Sequence, residues 1–129
     1  MSCRSIHHYL SLMGILLGVF LVCSGSAWAD EQLPVKDMVT MIDLGAENCL
    51  PCRMMTPILA ELQKTYQGKA AIVFIDVYRD NTAARKFNTM VTPTQIFFDR
   101  HGKEASRHLG FMNKEEISKE LDSLLAQKG

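Results

Sequence analysis

The stretch that most restricts this chain is Glu47-Asn48-Cys49-Leu50-Pro51-Cys52-Arg53. An apolar run from Met38 to Leu44 leads into it, and a helical pattern ending near Gly68 leads out of it. Two cysteines with two residues between them, at a junction of strand and helix, suit dithiol–disulfide chemistry. The first turn of a helix offers unpaired backbone N–H groups and the positive end of the helix dipole. A thiolate at Cys49 is stabilised there, which predicts a pKa below the ~8.5 of a free cysteine. Cys52, one turn further on, is within bonding reach, and Arg53 adds a nearby cation.

Other uses of a cysteine pair fit less well. A zinc site needs four ligands, usually with a second pair at matching spacing. No second pair follows, and only His101 and His108 lie outside the N-terminal leader. Covalent haem attachment needs a histidine directly after the second cysteine, and Arg53 stands there. A purely structural disulfide stays open, although closing so small a loop stabilises little. The expectation is a redox pair with no metal and no cofactor.

Residues 1–29 read as a leader. Arg4 supplies a positive start, Leu10 to Val22 an apolar centre, and Ala27-Trp28-Ala29 a small-x-small cleavage site before Asp30. The apolar centre is short of the ~20 residues of a comfortable membrane span. An uncleaved leader acting as an anchor, or lipidation at Cys23, stays open. Cleavage leaves residues 30–129 as one small domain with Cys49 and Cys52 as its cysteines. The whole chain has 14 basic and 14 acidic residues. Losing Arg4 with the leader leaves the charge near neutral, which argues against nucleic acid or an anionic membrane surface as partner. Export places the domain in the periplasm or another extracytoplasmic space, where disulfides form and persist.

In order, Asp30 to Asp37 reads as an irregular lead-in and Met38 to Leu44 as a buried strand with one charge, Asp43. Gly45 and Ala46 let the backbone turn. Met55, Ile58, Leu59, Leu62 and Tyr66 mark one face of a helix, with Pro51 tolerated in its first turn and Pro57 expected to kink it. Met54 and Met55 read as core filling. Ala70 to Val77 is a second strand, parallel to the first because a helix connects them. Asp80 or Asn81 caps a short helix through Phe87. Thr94 to Asp99 and Glu104 to Leu109 form a hairpin around Arg100-His101-Gly102-Lys103. Asn113 and Glu116 form a capping box for a last helix carrying Ile117, Leu121, Leu124 and Leu125.

This order of elements resembles the thioredoxin family over Met38 to Leu125. The residues that carry the resemblance are Asp43, Cys49-Leu50-Pro51-Cys52, Pro57, Thr92-Pro93-Thr94 and Gly110. Phe97-Phe98-Asp99 and Gly110-Phe111-Met112 also resemble the carboxy-terminal domain of the transmembrane thiol reductases that feed the bacterial periplasm. The resemblance implies an α/β, thioredoxin-like fold. The mature chain before Asp43, once residues 1–29 are removed, is too short for the family's first strand and helix, so a reduced four-stranded mixed sheet with three helices is expected. It also implies that Cys49 attacks and Cys52 resolves. Pro93 follows a cis bond that brings Thr92 beside Cys49, and Leu50, Pro51, Thr92 and Pro93 meet the substrate. Asp43 is the buried acid, with its pKa raised by burial, that takes the Cys52 proton.

Some positions depart from the family. Asn48 stands where tryptophan usually precedes the first cysteine, Gly45 at an upstream aromatic position, Phe74 where a lysine often accompanies the acid, and Leu50 in place of glycine. The reading is an exported, monomeric thiol–disulfide oxidoreductase that reduces disulfide-containing exported proteins and draws electrons from a membrane thiol reductase. A net oxidant or isomerase is an alternative. So is a non-catalytic module that holds a client or a metal through its dithiol.

Overall fold

A computed structural model describes residues 32–127; the leader, with Cys3, Cys23 and Asp30, lies outside the described residues. From Gln32 to Met38 the backbone is irregular, with a cis Leu33–Pro34 bond that the sequence did not announce. Strand β1 (Val39–Gly45) is buried along its whole length. Helix α1 (Leu50–Thr65) follows, then β2 (Ala70–Asp76), α2 (Asn81–Lys86), β3 (Thr94–Phe98), β4 (Glu104–Leu109) and α3 (Lys114–Ala126). The four strands form one mixed sheet in the order β2-β1-β3-β4. β1 runs parallel to β2 and antiparallel to β3, and β3 and β4 form the hairpin. This is the expected four-stranded, three-helix α/β architecture.

Local chemistry accounts for the elements. Cys52, Met55, Leu59 and Leu62 recur at helical spacing and are the buried face of α1. The helix runs through Pro57 without a break. Met55 fills the core as expected, whereas Met54 is more than half exposed. The Asp80 side chain caps α2 by accepting from the Thr82 and Ala83 N–H groups. In the hairpin turn the Asp99 carboxylate accepts from the His101 and Lys103 N–H groups at 2.8 and 3.0 Å. The expected Asn113–Glu116 capping box opens α3.

Two apolar clusters lie on either side of the sheet. One joins Val39, Met41, Ile72 and Phe97 to α1 and α3 through Met55, Leu59, Leu62, Ile117 and Leu121. The other joins Ile42, Leu44, Ile96 and Phe98 to Ala83 and Phe87. Successive side chains of β1 therefore enter different cores.

Candidate active site

The site forms where β1 ends and α1 begins. Gly45 accepts from the Val77 N–H at 3.0 Å, and Glu47 donates its N–H to the Asp76 carboxylate at 3.1 Å. Asp76 also accepts from Tyr78 and Arg79, and the Tyr78 N–H contributes most to holding its carboxyl below the usual range. The loop ahead of Cys49 is thus tied to the end of β2. Cys49 is the N-cap of α1: its sulfur accepts from the Cys52 N–H at 3.3 Å, and its carbonyl accepts from the Arg53 N–H at 3.0 Å. A sulfur in that position meets the helix N-terminus, where negative charge is favoured. Cys49 and Cys52 are joined as a disulfide. Cys49 is half-buried, whereas Cys52 is only 2% exposed.

The Thr92–Pro93 bond is cis, and Cys49 Sγ lies 3.9 Å from the Thr92 carbonyl oxygen. Pro93 is buried and its carbonyl accepts from the Gly110 N–H at 2.8 Å, which brings the start of the Phe111 loop to the same end of the sheet. Leu50 and Pro51 are exposed in the first turn of α1. Met90, Val91 and Phe111 add exposed apolar surface, Met90 being 99% exposed. Sequence reasoning placed Phe111 only in the Gly110-Phe111-Met112 resemblance, did not select Met90 or Val91, and assigned none of the three to the site. Their signal was an apolar pair directly before Thr92-Pro93 and an aromatic directly after Gly110.

Beneath the helix Asp43 is fully buried, and burial pushes its carboxyl up from 3.8 to about 6, against the opposing hydrogen bond from Gln95. Among the described residues no ion pair reaches it. Gln95 Nε2 donates to Asp43 Oδ1 at 2.8 Å and lies 3.1 Å from Met55 Sδ. The two residues are direct partners across β1 and β3. Gln95 was missed in the sequence, although it is the one amide in the apolar strand Thr94–Phe98.

The departures at Gly45 and Phe74 turn out to be linked. A Cβ on Gly45 would stand 2.6 Å from a ring carbon of Phe74 and 3.4 Å from Cys52 Cβ. Phe74 thus occupies the space that a side chain at position 45 would fill, and the missing aromatic is replaced from the neighbouring strand. The ring is 41% exposed and borders a shallow groove beside Cys52, with Arg53, Thr56 and Ala60 along it.

A disulfide-forming pair at a helix N-terminus, with one half-buried and one buried sulfur, suits dithiol–disulfide exchange. Residues 20–123 match the thioredoxin family, and the chain belongs to that family. Thioredoxin from Staphylococcus aureus strain Mu50 is 37% identical over 97 residues, covering 75% of this chain and 92% of that protein. Thioredoxin from strain MW2 gives the same figures. The X-ray structure of Fasciola hepatica thioredoxin matches with a TM-score of 0.62 and 27% identity, over 69% of this chain and 83% of that one. The family and the cysteine pair together support thiol–disulfide oxidoreductase activity.

Proposed function

We propose that the protein is an exported reductase of protein disulfides. The observation that carries this reading is the asymmetry of the pair: Cys49 is open to an incoming disulfide beside the Thr92 backbone, and Cys52 is held behind it. In the reduced protein the Cys49 thiolate attacks a client disulfide, forms a mixed disulfide and releases one client thiolate. Thr92 offers its backbone to the extended client segment, and Leu50, Pro51 and Pro93 border it. Cys52 then passes its proton toward Asp43 and attacks Cys49 Sγ. The client leaves as its second thiolate and the Cys49–Cys52 disulfide remains. Two electrons have moved to the client, and a dithiol of a membrane thiol reductase returns them.

The leader pattern of residues 1–29 supports export, and the likeness of the hairpin and the Gly110-Phe111-Met112 segment to periplasmic reductase domains supports the reducing direction. The test is insulin reduction by the purified protein with a dithiol donor, alongside the potential measured against glutathione. Turnover well above the donor alone, with a potential below that of glutathione, is expected. Turnover no faster than the donor alone would remove the enzyme reading, and a potential above glutathione would reverse the direction. Export is read separately, from a mature N-terminus at Asp30 after secretion.

A further inference from the structure

Asp43 and Gln95 form a pair whose polar atoms are only half used. Both side chains are fully buried. One bond, 2.8 Å from Gln95 Nε2 to Asp43 Oδ1, links them. The second N–H of the amide has Met55 Sδ as a neighbour at 3.1 Å. Asp43 Oδ2 and Gln95 Oε1 remain buried without a partner. Such groups cost stability, and two on neighbouring side chains ask for an explanation.

We propose that Gln95 is a positioning residue for the proton exchange of Asp43: its amide fixes Oδ1 and leaves Oδ2 as the oxygen that gains and loses the proton. The proposal rests on the reading of Asp43 as the base for Cys52. An amide suits this task because it carries both a donor and an acceptor. Its N–H supports the ionised carboxylate, and its carbonyl can accept once Oδ2 carries a proton. A lysine would favour only the ionised form, and an apolar side chain would support neither. The acid is thereby kept able to change state in each cycle rather than being locked in one.

The surroundings leave this pairing with little competition. On β1, Gly45 has no side chain. From β2, Phe74 is the direct partner of Asp43, and Asp76 is engaged by the backbone of Glu47, Tyr78 and Arg79. From α1, Met55 meets the amide, Arg53 is exposed, and Cys52, joined to Cys49 here, becomes on reduction the thiol that Asp43 serves. From β4, His108 is the partner of Gln95 in register, but its ring Nε2 lies 3.1 Å from the Phe111 carbonyl. From α3, Glu120 accepts from Ser106.

The test uses the reduced full chain. In the unmutated protein, the side-chain ¹H and ¹⁵N resonances of Gln95 should titrate with the same midpoint as the Asp43 carboxyl ¹³C signal. Gln95→Met keeps the volume and removes the amide, so the Asp43 midpoint should rise by about one unit, because a donor to the ionised form is lost. Resolution of a preformed mixed disulfide should then slow about fivefold at pH 6 and hardly at all at pH 8, since the base is mostly ionised there in either case. The first attack by Cys49 should not change. Gln95 resonances that ignore the Asp43 titration overturn the proposal without any mutant. So does a Gln95→Met protein whose resolution falls by one factor at every pH with the Asp43 midpoint unmoved, the signature of a merely structural residue. Asp43→Asn, run in parallel, separates the two layers: if it leaves resolution unchanged, the base reading itself fails.

Discussion

The two faces of β1 are equally buried and chemically opposite. Toward α2, Ile42 and Leu44 meet Ala83, Phe87, Ile96 and Phe98, hydrocarbon against hydrocarbon. Toward α1 and α3, Met41 joins a larger apolar cluster, yet the next position on that face is Asp43, bonded to Gln95. The first face needs volume and shape, and its one hydroxyl, Thr40, is satisfied locally by the Val35 N–H and the Met38 carbonyl. The second accepts a carboxyl that burial disfavours, directly beneath the helix that carries the cysteines. The contrast sets what holds the domain together against the carboxyl that the proposed mechanism uses.

The strongest way to sharpen the contrast is at the exchange centre itself. Cys49→Ser should abolish turnover and leave the fold intact, whereas Cys52→Ser should still attack and accumulate the mixed disulfide, as seen on non-reducing gels or by mass. Equal alkylation of the two single mutants at neutral pH would contradict the assignment of attacking and resolving sulfurs.

On the hydrocarbon face, Ile96→Ala should destabilise by about 2–5 kcal/mol in urea melts, by lost burial and a residual cavity. That loss should be the same at pH 5 and pH 8, with resolution kinetics of the folded fraction unaltered.

Asp43→Asn should act with the opposite sign. The folded carboxyl titrates at about 6, against 3.8 for the ordinary group, so the folded state favours the proton. Asp43 is therefore least costly below about pH 4, its cost grows as pH rises toward 6, and it is constant above. The difference corresponds to about 3 kcal/mol, an upper figure for the stabilisation of the mutant at pH 8, fading to nothing near pH 4. Resolution should slow tenfold or more, within the ~10²–10⁴ range of general bases. A mutant that is less stable at pH 8 and resolves normally would make Asp43 a structural residue.

The smallest effect expected is at Gly45. Gly45→Ala drives a methyl toward the Phe74 ring and should cost about 1–3 kcal/mol. Adding Phe74→Leu should recover most of it, because the two positions share one space. Additive losses in the double mutant would show that the positions are independent.

Much of this was legible along the chain because it depends on near neighbours. Helical spacing from Cys52 to Leu62, the capping box at Asn113, the hairpin turn at Asp99 and the single charge in an apolar strand all lie within a few residues of each other. The Asp43–Gln95 bond and the Gly45–Phe74 contact join residues far apart in sequence, and only the strand register brings them together. Gln95 looked like one polar residue in a strand, and Gly45 and Phe74 like two unrelated departures. Met54 and Met55 read alike as core filling in the sequence, but adjacent residues on a helix point in different directions, and only Met55 is buried.

Among the described residues β2 is bonded on one side only, at the end of the sheet order. The stretch Ala70-Ala71-Ile72-Val73-Phe74-Ile75 is apolar and free of proline, which makes its outer backbone a template for another chain. Gln63 on α1 reaches across and donates its amide to the Ile72 carbonyl at 3.0 Å. Lys69 and Asp76 place opposite charges at the two ends of the run. An amide that touches neither cysteine thus occupies one carbonyl of that edge, and Gln63→Ala should raise the light scattering of a concentrated solution before it changes any rate.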